Sequence, residues 1–291
     1  MKKLFYCIAS VIVTFAIASC SKNEANVVSA GQTNIAFDAK NNTSVFTTTV
    51  LPKDILDLSL WSLSVPVDSN GGNTGSATTI KTSVLNSTYT SSYFYTSSDN
   101  GVVFWCPTDG ATTSPGQGSD HPRTELRETL NWTMAAKGKL QSTLVVNRHP
   151  IDTADIIIGQ IHCSNTYSGV PFVMLHLKDG IIQVVIKQSL TASIYHKQNL
   201  ISGISTGTKI YYSIYTNGAT IYFNVITTPP GGSSTTSTWQ DAVPTAFSSS
   251  SVQVHFAAGD YVQEHTPNDG LFPNSTDGGR VTMYNLTITH Y

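Results

Sequence analysis

Two pairs of alternating segments, each joined by a two-residue turn, most constrain how this chain can fold. Phe172 to Lys178 meets Ile181 to Lys187 across Asp179-Gly180, and Ile210 to Tyr215 meets Thr220 to Val225 around Asn217-Gly218. Asp-Gly and Asn-Gly tolerate the positive backbone angles that tight hairpins demand. The alternation recurs at Trp61 to Val67, Leu140 to Val146, Ile156 to His162, Val252 to Tyr261 and Val281 to Thr289. Val102 to Trp105 adds a short apolar run, and one helical turn is predicted near Pro52 to Leu56. Many short strands at even spacing predict an all-β sandwich or jelly roll, not an α/β fold. A chain of 291 residues, 40% hydrophobic, can bury one sizeable core of this kind.

The first residues read as an export signal. Lys2 and Lys3 precede an apolar stretch from Leu4 to Ala18, and Ile17-Ala18-Ser19-Cys20 resembles a bacterial lipobox. The stretch is short for a membrane span. The expected organisation is a signal over residues 1–19, a polar linker over 20–50 and a single domain over 51–291. Cys20 is then the lipidated first residue, which anchors an exported protein to the outer membrane. A strand is expected at Thr33 to Phe37 within the linker. Formal net charge is -2, so no global basic field points to nucleic acid. Cys7 leaves with the signal. Cys106 and Cys163 either pair in an oxidising compartment or are both buried as small hydrophobes. The Cys and His spacing is not of the zinc type, and no metal or cofactor is expected. Three segments read as long loops: Asp68 to Ser76, Thr227 to Ser237 and Glu264 to Gly279.

Three strings carry chemistry: Arg123-Thr124-Glu125-Leu126-Arg127, Gln160-Ile161-His162, and His255-Phe256-Ala257-Ala258-Gly259-Asp260-Tyr261-Val262-Gln263. Alternate side chains of a strand share a face. Arg123, Glu125 and Arg127 therefore share one, as do Gln160 and His162, and Tyr261 and Gln263. If one sheet holds these strands, guanidiniums, a carboxamide, an imidazole and a phenol meet on one surface. Such a surface can bind a carboxylate and move a proton beside it. Taken singly, each string has a structural reading: a solvated ion-paired face, a structural histidine, a packed tyrosine.

Together and in this order, the strings resemble the alginate lyases of polysaccharide lyase family 7. That family shows R-[ST]-E-[LV]-R, then Q-[IV]-H, then Y-F-K-A-G-x-Y-x-Q. Trp61 to Val67 resembles its opening strand, and Phe104-Trp105-Cys106-Pro107 precedes the Arg motif as in the family. The resemblance covers roughly Leu51 to Tyr291. It implies a β-jelly roll with a concave groove and β-elimination on a 1,4-linked uronate polymer, alginate. A monomer is expected. It implies that Arg123, Gln160 and His162 neutralise the substrate carboxylate, with His162 as base and Tyr261 as acid. For mannuronate, Tyr261 takes both roles. Glu125 would orient Arg123, Arg127 would reach a neighbouring carboxylate, and Gln263 would line the groove. Within the family, Ile161 between Gln and His accompanies action on guluronate-containing blocks, although Ile161 should face away from the groove.

One departure stands out. The family's Lys is Ala257 here, and its leading Tyr is His255. Lys187 and Arg148 are the candidates for a replacement cation. The departure keeps two alternatives open: a lyase for another polyuronate such as glucuronan, and a non-catalytic glycan-binding lipoprotein. His121 could border the groove. His149, His176, His196, His265 and His290 have no motif behind them, and Tyr211, Tyr212, Tyr215, Tyr222 and Phe223 read as sheet packing.

Overall fold

A computed structural model describes residues 34–37, 44–47, 50–115, 120–266 and 276–291. The signal and Cys20 lie outside the described residues, as does most of the expected loop from Glu264 to Gly279. The chain divides into two compact units, Met1–Thr48 and Thr49–Tyr291. The first holds an antiparallel hairpin of β1 (Asn34–Phe37) and β2 (Ser44–Thr47).

The second unit begins with one helical turn, α1 (Pro52–Ile55), which has Pro at its start. Fifteen strands follow: β3 (Trp61–Val65), β4 (Thr78–Ile80), β5 (Phe94–Thr96), β6 (Val102–Pro107), β7 (Arg123–Glu128), β8 (Gly138–Arg148), β9 (Asp155–Cys163), β10 (Pro171–Lys178), β11 (Ile181–Lys187), β12 (Tyr195–Ser202), β13 (Lys209–Thr216), β14 (Thr220–Thr228), β15 (Thr235–Ala242), β16 (Val254–Val262) and β17 (Gly278–His290). They form an eight-stranded sheet in the order β12-β11-β10-β9-β16-β7-β3-β4 and a seven-stranded sheet in the order β15-β14-β13-β8-β17-β6-β5. This is the predicted all-β jelly roll. Both expected hairpins are present, β10–β11 and β13–β14. Asp179 and Gly180 take positive φ at the first turn.

The inner faces of the two sheets make the core. Leu63, Leu126 and Phe256 of the eight-stranded sheet and Phe104, Leu144 and Tyr212 of the seven-stranded one are fully buried in one cluster. Each such aliphatic or aromatic side chain contributes about 2 kcal/mol of burial. Cys106 and Cys163 are free and buried, so the second of the two cysteine readings holds. Two expected loops change. Asp68 to Ser76 is a built turn in which the Asp68 carboxylate accepts from the backbone N–H of Asn70, Gly72 and Gly75. The Thr227 to Ser237 loop is shorter than expected, because β14 runs to Thr228 and β15 starts at Thr235. β12 and β15 escaped the sequence reading because both are polar edge strands with little alternation.

One irregularity positions the groove. In β9, Ile158 is buried in the core, and a Cβ on the next residue, Gly159, would lie 2.6 Å from Tyr212 Oη. Both positions thus face the core, and pairing slips there against β10 and against β16. Tyr212 Oη donates to the Ile158 carbonyl at 2.8 Å, which satisfies a polar group set out of step by the bulge. Strict alternation from Ile156 to His162 is therefore broken. Ile157 faces the groove with Gln160 and His162.

Candidate active site

The concave face of the eight-stranded sheet holds a cleft of about 770 Å³, and all three motifs line it. Register places their side chains in rows that cross the strands. Arg127, Ala257, Gln160, Met174, Val185 and Lys197 are successive cross-strand partners. On one side of that row, His255 pairs with His162. On the other side, Arg123, Tyr261, Ile157, His176 and Gln183 form a parallel row. His162 and Tyr261 thus flank a central strip floored by Ala257 and Gln160.

Glu125 organises one side of this arrangement. It is 4% exposed and takes one hydrogen bond on each carboxylate oxygen. Arg123 Nη1 donates to Oε2 at 3.1 Å, and Gln160 Nε2 donates to Oε1 at 2.5 Å. Burial raises the Glu125 pKa, and the Arg123 guanidinium and the Gln160 amide pull it back. The carboxylate fixes the Gln160 amide with its NH2 toward Glu125. One N–H remains to donate, and Oε1 is buried with no partner among the described residues. The Arg123 guanidinium also lies over the Tyr261 ring, 3.6 Å from its centroid.

His162 has a defined tautomer. Its Nδ1 is 2.9 Å from the Cys163 carbonyl, which can only accept, so Nδ1 carries the proton. Nε2 then keeps its lone pair. Burial depresses the His162 pKa to about 4, with the Arg123 and Arg127 guanidiniums pushing the same way and the Cys163 carbonyl opposing. The imidazole is neutral at neutral pH, as a base must be. His255, its ring 5.5 Å away, is pushed down to about 2, first by burial and then by Arg127. Ser164 Oγ lies 2.7 Å from His255 Nδ1 and 2.8 Å from Asn131 Oδ1. The Asn131 oxygen can only accept, so Ser164 donates to it and receives from His255. Burial raises the Tyr261 pKa against the pull of Arg123, which keeps the phenol protonated.

Ile161 and Cys163 point into the core, away from the groove, as alternation requires. Arg127 and Gln263 line the cleft. Lys187 is 7% exposed and lies under Tyr195, with Nζ 3.3 Å from the phenolic oxygen and 4.8 Å from the ring centroid. It is therefore covered at the groove rim and not among the lining residues. Arg148 is on the other sheet, over Trp105, and so cannot replace the family's lysine. His121 borders the site, its ring 6.5 Å from that of Tyr261. The sequence reading gave no role to Asp155, His176, Lys178 or Lys197, all of which line the cleft. Asp155 Oδ1 meets His176 Nδ1 at 2.8 Å, and its Oδ2 meets Lys178 Nζ at 3.3 Å. A signal existed: Met174, His176 and Lys178 alternate along one face of β10.

Residues 56–290 match the model of a family described as alginate lyase. A curated alginate lyase from Klebsiella pneumoniae is 37% identical over 148 residues. That match covers 39% of this chain and 47% of the relative, so it spans less than half of that protein's length. Among solved structures, alginate lyase A1-II′, a member of polysaccharide lyase family 7, matches with a TM-score of 0.66 at 27% identity. It covers 83% of this chain and 99% of its own. A variant of that enzyme, with one histidine changed to asparagine and one tyrosine to phenylalanine, was solved in complex with substrate. An alginate lyase from Pseudomonas aeruginosa matches with a TM-score of 0.66 at 30% identity, covering 81% of this chain and 100% of its own. These comparisons give no support to the glucuronan or non-catalytic alternatives.

Proposed function

The chain belongs to the alginate lyase family, and on that premise we propose that it cleaves alginate by β-elimination, with His162 as base and Tyr261 as acid. The enzyme is a polysaccharide lyase with the β-jelly roll of its relatives. The observation that carries the residue roles is the row geometry. A polymer lying across the strands over Ala257 and Gln160 passes between His162 and Tyr261.

The C5 hydrogen of a uronate is a poor acid because negative charge builds on the adjacent carboxylate as the proton leaves. Arg123 and the free N–H of Gln160 receive that carboxylate and stabilise the growing charge. His162 Nε2 takes the C5 proton. The electron pair forms the C4=C5 double bond, and the C4–O4 bond breaks. The leaving O4 takes the phenolic proton of Tyr261. Proton exchange with water then resets both groups. With base and acid on opposite sides of the strip, this path suits guluronate. For mannuronate, whose proton and leaving group share a side, Tyr261 serves both steps after its phenol has first lost a proton to water: the phenolate takes the C5 proton and the phenol so formed passes it to O4.

The electrostatics support the base assignment. Without substrate, burial and, behind it, two guanidiniums hold the proton affinity of His162 down. A uronate carboxylate that pairs with Arg123 or Arg127 offsets them, so substrate itself makes the imidazole more basic. The pairing of one histidine change with one tyrosine change in the substrate complex of A1-II′ supports the choice of residue types. Glu125 positions Arg123 and Gln160, and Gln263 and Arg127 hold flanking sugars. Anchorage is a separate reading, supported by Lys2, Lys3, the apolar stretch and Cys20. The protein is an exported lipoprotein of the outer membrane and acts as a monomer.

Absorbance of the unsaturated product, followed on polymannuronate, polyguluronate and glucuronan separately, tests the reaction. A rise on an alginate polymer that disappears in His162→Ala and Tyr261→Phe is expected. A rise on glucuronan alone would overturn the substrate, and unchanged rates in both variants would overturn the residue roles.

A further inference from the structure

The central row of the groove ends in a cation on both sides. Arg127 stands on β7 and Lys197 on β12, with Ala257, Gln160, Met174 and Val185 between them in continuous register. All six line the cleft. The row spans five strand spacings, about 24 Å.

These two cations differ from the others in the groove. Arg123 is paired with Glu125, and Lys178 with Asp155. Lys187 is roofed by Tyr195. Among the described residues, Arg127 donates to the Asn131 amide oxygen at 3.4 Å and is in ion-pair contact with no carboxylate, and neither is Lys197. A cation on a polymer-binding surface without an internal counter-ion is available to an anion that arrives. The floor between the two is uncharged, and position 257, where the family carries a lysine, is Ala here.

We infer that Lys197 forms a distal carboxylate-binding subsite, so that the groove grips a uronate chain at Arg127 and again three strands beyond the reacting sugar. This deepens, and rests on, the reading of the cleft as an alginate-cleaving groove. Gln160 lies on β9 and Lys197 on β12, about 14 Å apart at the usual strand spacing. A pyranose repeat is of the same order as one strand spacing, about 5 Å. The lysine therefore meets a carboxylate about three sugars from the bond that breaks. Affinity gained there is affinity that only a long substrate can collect.

The test is kcat/KM on defined oligouronates from three to eight units, for the wild type, Lys197→Ala and Lys197→Arg. In the wild type, KM should fall as the oligomer lengthens and then level off. Lys197→Ala should raise KM for the longest oligomers about fivefold, leave the trimer unchanged and leave kcat unchanged throughout. Lys197→Arg should restore the wild-type length dependence, and added salt should erase the difference between the variants. Equal effects on trimer and octamer, or no effect on either, would overturn the inference. A wild type that forms no product on any of these substrates would instead overturn the reading on which it rests.

Discussion

Among the described residues a cleft lies on each sheet, and the two are built from similar materials. The cleft on the outer face of the seven-stranded sheet measures about 630 Å³, against about 770 Å³ for the groove. It is richer in aromatics: Tyr215 stacks on Tyr222 with ring centroids 5.5 Å apart, and Tyr291 meets Tyr215 edge-on. Nearby, Gln141 Nε2 donates to Tyr211 Oη. Among the described residues that line this cleft, Lys139 alone has a charged side chain. The groove instead gathers two buried carboxylates, three imidazoles and a phenol, each tied to a fixed partner or pressed against a guanidinium. Volume and aromatic surface are thus common to both faces. Titratable groups that have lost water while gaining oriented neighbours distinguish the reactive one.

The comparison breaks first at His162. Its replacement by alanine should lower kcat by about a thousandfold, the scale of a lost general base, with little change in KM. An unchanged kcat would place the chemistry elsewhere. Next comes Glu125→Gln, which leaves Arg123 without its counter-ion and the Gln160 amide without its orienting charge. Both exposures are low, 13% and 5% for the two ion-pair side chains, so unfolding free energy should fall by about 3 kcal/mol in urea titration. The rate should fall with it, by about tenfold or more.

A pH series sharpens the contrast further. An exposed histidine is mostly protonated at pH 5.5, whereas one with a pKa of about 4 stays neutral there. The kcat/KM of the enzyme should therefore hold at pH 5.5, about tenfold above what an ordinary imidazole would allow. The same shift has a cost in stability. Below about pH 6.5 the unfolded chain binds a proton that folded His162 refuses, so stability is full above that pH and falls as pH drops toward 4. Thermal melts across this window should show it, and His162→Gln should reduce the slope to the share that His255, depressed further still, contributes. The smallest effect belongs to the other cleft: Tyr222→Phe should leave kcat/KM within about twofold of wild type. A large loss there would join the two faces functionally.

The sequence was most legible where a motif coincided with a face. Arg123, Glu125, Gln160, His162 and Tyr261 could be assigned to one surface because alternation is local and the strings occur in a familiar order. Both hairpins were legible because Asp179-Gly180 and Asn217-Gly218 permit few other turns. What escaped depends on register between distant segments. Nothing in β12 announces that Lys197 faces the same strip as Arg127, because five successive pairings decide it. Lys187 has the right parity for the groove, yet Tyr195 from the neighbouring strand covers it. Asp155 and His176 share an edge of the cleft only because β9 slips at Ile158-Gly159. A bulge of this kind leaves a glycine in the sequence and little else.

That bulge lies between the two rows that must exchange a proton with one sugar. Gln160 and His162 stand on one side of it, and Ile157, cross-strand partner of Tyr261, stands on the other. The phenol that pins it, Tyr212, belongs to the opposite sheet and never meets substrate. Tyr212 therefore sets a gauge, as a tie fixes the distance between rails. Shortening that tie to phenylalanine would remove no contact a sugar could feel, yet it would leave the track free to spread beneath a bond whose breaking depends on its width.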